Sequence, residues 1–367
     1  MASYNVSRLG ASNQGADSLA LFLKVFSGEV ISTFEAQDVV TQLHQIRTIS
    51  SGKSAQFPYI GNVTSSYHVP GNEIVGTKIN HAETVINVDG LYQANASIAN
   101  IDEAMNHYDV RSQYTSEIAR QLYDQYARRV WRVLCRSARS LSPLNSTTYN
   151  TDGATGAITN AHSLQSSYLA DGTTQRGVGL DNLANASNKT VAANLAGAIF
   201  VAAQALDDKN VPANDRFVGV APAQYYLLVA NLGTNVLGSL ATSAINRDVG
   251  GNGSISSGTI PMIAGCQIVK SVQFPTSNVT NETVGFTGGN NYNGDFSKTA
   301  ALVFQKGAAG TVKLLDMATE SEYSVSRQAT LVLSKYAMGH GVLRPWCAAE
   351  ITTGEITNYS TQLLPTA

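Results

Sequence analysis

The stretch SGKSAQFPYI GNVTSSYHVP GNEIVGTKIN HAETVINVDG LYQANASIAN, residues 51–100, decides the fold. It breaks into short β-type runs, Ala55–Ile60, Thr84–Val88 and Leu91–Ile98, with turn-forming residues such as Val69-Pro70-Gly71-Asn72 between them. Together they read as a long two-stranded excursion, taken to span residues 49–100. A two-stranded ribbon is marginal on its own in water, so something outside it must hold it. Either it folds back onto its own domain or it is ordered against another copy of the chain.

On the N-terminal side, residues 1–16 are polar and aperiodic and read as a loose arm. A short amphipathic helix follows, with Leu19, Phe22, Phe26, Val30 and Phe34 at spacings of three and four. On the C-terminal side, a long helix starts near Ser112 or Thr115 and runs to about Ser140. Its apolar row is Ile118, Leu122, Tyr126, Val130 and Leu134, widened by Tyr123 and Cys135. The opposite face carries Arg120, Arg128, Arg129, Arg132, Arg136 and Arg139 against Glu117 and Asp124. Such a face is either solvated or turned to nucleic acid or an acidic partner, with Arg128, Arg132, Arg136 and Arg139 as the DNA-facing candidates.

Further on, Pro143 to about Leu180 is a loop-rich connector. An α/β unit follows: a helix from about Val191 to Asp208, a strand Arg216–Val220, a second helix opening at Pro222, then strands Cys266–Val272 and Ala300–Phe304 around a Gly/Asn-rich loop from Thr276 to Gly294. Gly310–Leu314 begins a final β-rich segment that continues through Thr330–Ser334 and Lys335–His340, turns at Arg344-Pro345-Trp346 and ends near Ala348–Ile351. This segment and the long helix are read as sharing one α+β layer, with the middle unit inserted between them.

Composition narrows the function classes. Charged residues are only 14% of the 367 and the net charge is −2, against roughly a quarter charged in an average soluble protein. A neutral polar surface suits faces packed against neighbours, where burying Lys or Glu is costly; a compositional habit of the source would look the same. The charge balance gives no global attraction to nucleic acid or anionic membrane. No run approaches the ~18 apolar residues that span a bilayer, and MASYNVSRLG lacks the order of a secretory signal. Cys135, Cys266 and Cys347 form neither a disulfide framework nor a metal motif.

Enzymatic motifs fail on inspection. Ser51-Gly52-Lys53-Ser54 ends like a phosphate-binding loop, but Arg47 stands where its first glycine belongs. The histidines lack metal-site spacing. Asp102, Glu103, His107 and Asp109 cluster as an acid/base set would, although acids ahead of a long helix also complement its N-terminus. No catalytic residue, cofactor or metal is assigned.

Five strings are distinctive: LALFLKVFSGEV at 19–30, SSGKSAQFP at 50–58, IDEAMNHYDVRSQYTS at 101–116, GTVKL at 310–314 and KYAMGHGVLRP at 335–345. They closely resemble the major capsid protein of the short-tailed Teseptimavirus-type podoviruses. The resemblance covers roughly the first 120 and last 60 residues; the connector 143–180, the loop 276–294 and Trp346-Cys347 depart from it. It implies the α+β capsid fold of tailed phages named after phage Hong Kong ninety-seven. The expected parts are an N-terminal arm (1–48), an extended loop (49–100), a peripheral domain with a spine helix (101–190 and 311–367) and an inserted axial domain (191–310). It further implies a virion subunit forming hexamers and pentamers with copies of itself. The implied partners are a scaffolding protein, a portal vertex and packaged double-stranded DNA, with no membrane partner. Lys53, Phe57, Arg111, Tyr336, His340 and Arg344 are the candidates for inter-subunit or hinge contacts; plain packing within the subunit is the other reading of them. The function from another class is nucleic-acid binding through the arginine face of helix 115–140.

Overall fold

The computed structural model describes residues 40–60, 65, 67–74, 76, 79, 81–105, 110–140, 188–231, 262–282 and 290–352. The amphipathic helix expected over 19–34 and the connector 143–180 lie outside the described residues. In chain order the elements are β1 (Gln45–Thr48), β2 (Ser54–Ile60), β3 (His81–Asn87), β4 (Tyr92–Ala99), α1 (Asn100–Met105), α2 (Val110–Arg139), α3 (Asn188–Asp208), β5 (Arg216–Val220), α4 (Pro222–Asn231), β6 (Met262–Ile263), β7 (Cys266–Lys270), β8 (Asn278–Val279), β9 (Gly294–Asp295), β10 (Thr299–Gln305), β11 (Ala309–Ser324), β12 (Ala329–Val342) and β13 (Ala348–Thr352).

The 30-residue helix α2 is the spine, a rod of about 45 Å at 1.5 Å per residue. Every member of its expected apolar row is buried. On one flank it covers a four-stranded sheet ordered β1-β11-β12-β4. There Ile118 packs with Ile98 of β4 and Val332 of β12. On the other flank it meets a five-stranded sheet ordered β13-β10-β5-β7-β6. Six of the seven residues of β10 are buried, as expected of a strand covered on both faces.

Trp131 locks the spine to that second sheet. Its indole Nε1 donates to Ser271 Oγ at 3.1 Å, and its ring meets Phe274 and Phe304 edge-on. Gly219 leaves the notch it fills, since a Cβ there would stand 2.3 Å from the ring. Arg139, at the last turn, is buried against Glu350 of β13 through two bonds of 2.6 Å. Removing one partner of such a buried pair typically costs about 3–5 kcal/mol, because the other charge is stranded.

Several sequence expectations need correction. The ribbon is shorter than 49–100: only β2 and β3 form the hairpin, in register from Ser54↔Asn87 to Ile60↔His81. Strand β4 instead pairs antiparallel with β12 from Ala99↔Ala329 to Tyr92↔Tyr336, because its alternate residues Ala94, Ala96 and Ile98 pack toward the spine. The segment 45–48, at the end of the expected N-terminal arm (1–48), is a strand paired parallel to β11. The runs 330–334 and 335–340 are one continuous strand, β12. The last strand, β13, pairs with β10 in the five-stranded sheet and not with the long β11–β12 pair. Finally, Asp102 and Glu103 belong to the separate short helix α1, and the spine itself carries no acid in its first turn.

Candidate assembly surface and the junction that holds it

The hairpin has two unlike halves. Its inward row near the base, Ala55, Phe57 and Ile86, packs on Val312, Ala337 and Leu343 of the body, and the Tyr59 ring meets Trp346 edge-on at 6.1 Å. Beyond that point most of the described apolar side chains are uncovered, Ile60 being 71% exposed, Tyr67 102%, Val69 60% and Ile74 79%, while Ile79 is half-buried. Alternation along β2 puts Tyr59 inward and Ile60 outward, which is the period-2 rule of a strand. The ribbon is therefore held by its own subunit at the stem and left without cover at the tip.

The stem meets the body through a close backbone approach. A Cβ on Gly339 would lie 1.8 Å from the backbone oxygen of Asn87, and one on Gly341 would lie 2.6 Å from Ile86. The G-H-G within KYAMGHGVLRP is thus the slot that admits β3. Beside it, Asn290 Nδ2 donates to the Asn87 oxygen at 2.6 Å and to Asp89 Oδ1 at 2.9 Å. Tyr292 donates its hydroxyl hydrogen to Asp89 Oδ2 at 2.5 Å and accepts from the His340 backbone N–H at 3.1 Å. Burial, reinforced by Asp89, pushes the Tyr292 hydroxyl well above its ordinary value, so it remains a donor. Burial also raises Asp89, against the opposing effects of Tyr292 and Arg129.

Arg129 is the centre of this junction. Only 2% of its side chain is exposed, and it lies 3.6 Å from Asp89 and 3.1 Å from Glu282. The rings of Tyr92 and Tyr292 flank its guanidinium at 5.1 and 5.2 Å. Arg132 also donates to Glu282 at 2.8 Å.

The candidate residues fall into groups. Lys53 is exposed at the stem, where its carbonyl accepts from Val88 N–H at 2.8 Å. Phe57 is half-buried beneath the Arg47 guanidinium, 5.5 Å away. Arg344 is exposed at the entrance of the 345–347 turn. Arg111 begins the spine, and its side chain lies outside the described residues. Tyr336 and His340 are 1% and 2% exposed, so their burial within the subunit removes them from direct contact with a neighbour. Burial also raises the Tyr336 hydroxyl.

Among the arginines, Arg128 is exposed and Arg136 half-buried. Arg132 and Arg139 are tied to Glu282 and Glu350, which corrects the expectation that all four share a face open to DNA. Neither the glycine slot nor the Arg129 junction was read from the sequence. The available signal was a pair of glycines inside a strand, which marks a close backbone approach.

His340 gives the junction a pH dependence. Burial, added to by His44 and Arg129, holds its imidazole well below the ordinary 6.5. The unfolded chain takes a proton near that ordinary value and the folded subunit does not, so stability falls as pH drops below about 6.5, by up to about 1.4 kcal/mol per pH unit. Raised Asp89 acts in the opposite direction, in the more acidic carboxylate range. Denaturant melts of unassembled subunits at pH 7.5 and 5.5 are expected to differ by about 1 kcal/mol more than those of the His340→Asn variant. Equal differences would exclude His340 as the cause.

A spine helix between a four-stranded sheet and a five-stranded mixed sheet, together with a projecting hairpin, defines the subunit fold of tailed-phage capsids. The capsid protein of Cyanophage P-SCSP1u is 38% identical, with a TM-score of 0.70 over 96% of this chain and 99% of that chain. The mature capsid subunit of bacteriophage PhiM1 shares the fold at a TM-score of 0.67 and 15% identity, over 96% of this chain and 97% of that one. The major capsid protein of Escherichia phage T7 is 32% identical over 96% of this chain and 99% of its own length. The chain belongs to the family described as Gp10A-like major capsid protein, whose profile matches residues 56–352. It is accordingly a structural, non-enzymatic subunit of a phage head shell, resident in the virion capsid.

Proposed function

We propose that this subunit assembles on a scaffolding protein into a procapsid of hexamers and pentamers, with a portal at one vertex, and that the shell expands as double-stranded DNA is packaged. The observation that carries this reading is the uncovered apolar tip of the hairpin, with Tyr67 at 102% and Ile74 at 79% exposure. A projecting strand of that kind gains stability by lying on a second surface. In this reading the N-terminal arm (1–48) short of β1, and the β2–β3 hairpin within the extended loop (49–100), reach neighbouring copies, while β1 and β4 stay in the subunit's own sheet. The peripheral domain (101–190 and 311–367) and axial domain (191–310) form the wall, and Lys53, Phe57 and Arg344 surround the hinge of the loop. DNA is held without sequence preference, and the arginine ties described above weaken the alternative of a dedicated nucleic-acid binder.

The test is to produce the chain with and without the scaffolding protein of its phage and image both by negative-stain electron microscopy. Uniform closed shells are expected only with the scaffold. Monomers under both conditions would overturn the assembly reading, and equally uniform shells without scaffold would overturn the scaffold dependence. A nucleic-acid binder would instead show binding that weakens steeply with salt.

A further inference from the structure

Charges of alternating sign run through the subunit from the hairpin base to the inserted unit. Asp89 lies just beyond β3, Arg129 and Arg132 belong to the spine, and Glu282 follows β8. Arg129 reaches Asp89 at 3.6 Å and Glu282 at 3.1 Å, and Arg132 reaches Glu282 at 2.8 Å. The Glu282 backbone N–H is in turn held by Asn293 Oδ1 at 2.8 Å, which ties it to the β8–β9 side. At the hairpin base, Val88 N–H to the Lys53 carbonyl at 2.8 Å continues the ribbon's own pairing, and Asp89 N–H to the Met338 carbonyl at 3.3 Å is a modest backbone anchor to the body.

We propose that Glu282 is a positioning residue for the hairpin: acting through Arg129 and Asp89, it sets the direction in which β2–β3 leaves the subunit. The physical basis is charge balance in a buried place. Arg129 is 2% exposed and its carboxylate partners approach different nitrogens, Asp89 a terminal one and Glu282 the Nε, with Asp89 at 1% and Glu282 at 14% side-chain exposure. Without Glu282 the guanidinium keeps Asp89 as its buried counter-charge among the described residues and moves toward it, because an uncompensated buried charge is costly. Asp89 then moves with it, and so does the chain leading out of β3, which the Asn87 oxygen and Gly339 hold with no slack. The inserted unit thereby reports its position to the assembly hairpin, from Glu282 to Asp89, through three side chains in series.

The proposal rests on reading the hairpin as the assembly element, so its test is made on unassembled full-length subunits. Amide hydrogen exchange is compared for the parent, Glu282→Ala and Glu282→Gln, following peptides over 84–90, 278–282 and 299–305. Glu282→Ala is expected to speed exchange at 84–90 by about fivefold or more while leaving β10 unchanged. Glu282→Gln, which keeps an oxygen acceptor, should fall between it and the parent. Faster exchange confined to 278–282, or spread evenly into 299–305, overturns the proposal, since the first is a local effect and the second a general loss of stability. Should Glu282→Ala fail to fold, Glu282→Gln alone decides by the same pattern. Failure here leaves assembly itself untouched, because the scaffold experiment reads that separately.

Discussion

Gly339→Ala is expected to destabilise the subunit by more than about 3 kcal/mol, and to do so through one atom. The added Cβ would stand 1.8 Å from the backbone oxygen of Asn87 and 2.9 Å from the Asn290 amide nitrogen. A side-chain end can swing aside, whereas a backbone oxygen in a paired strand cannot move without β3. Gly339 is not among the described residues with left-handed backbone torsion, so conformational freedom plays no part and the effect is steric. Gly341→Ala provides the contrast, because its Cβ meets Ile86 side-chain atoms at 2.6 and 3.0 Å, which can rotate at smaller cost. Gly197→Ala provides the opposite sign: it lies within α3 with nothing inside 4 Å, and should gain about 0.5–1 kcal/mol of helix propensity. Urea unfolding of unassembled subunits measures all three. A Gly339→Ala subunit within 1 kcal/mol of the parent, on the same order-of-magnitude scale, would show that the slot yields more than backbone packing allows.

Much of the architecture was legible because it is written in local periodicity. The spine's row at spacings of four needed only the 3.6-residue period, and Arg216–Val220 and Ala348–Ile351 read as strands from short apolar runs between breakers. Strand β1 was illegible for the same reason in reverse. All four of its residues are exposed, so no alternation marks it, and its partner is β11, more than 250 residues away in sequence. Strand β4 was seen as a strand but given the wrong partner, since pairing with β12 is a long-range choice that alternation alone does not make.

The arginine face was misjudged for a related reason. A helical wheel assigns one buried side to a helix at the surface, but this spine lies between two sheets. From Tyr126 to Arg139 only Arg128 is exposed. The carboxylates that make burial of Arg129, Arg132 and Arg139 tolerable sit at Asp89, Glu282 and Glu350, in segments no local pattern links to the helix. The hinge candidates Tyr336 and His340 were drawn from a string shared with capsid proteins. Burial shows that the same string serves the inside of the subunit, with its two glycines admitting β3.

Removing the hairpin tip is expected to abolish shells while leaving the subunit folded. Ile60 and His81 face each other as the last pair of the ribbon, so residues 61–80 can be replaced by a short Asn-Gly turn of the kind that suits antiparallel strands. The stem contacts through Ala55, Phe57, Tyr59 and Ile86 are untouched. Of the described apolar residues of the tip, Tyr67, Val69 and Ile74 are mostly exposed and Ile79 is half-buried, so their loss removes little intra-subunit burial, and unfolding free energy should change by no more than about 1 kcal/mol. Assembly responds on another scale. Each such side chain contributes about 1.5–3 kcal/mol when fully buried on a neighbour, and a specific contact typically buries only ~800 Å² per partner, so losing three removes much of one contact. Every subunit in a closed shell depends on several such contacts at once, which turns a loss of several kcal/mol per contact into an all-or-none failure. Shells of normal diameter from the deletion, imaged with the scaffold present, would mean that the exposed ribbon is not what joins the subunits.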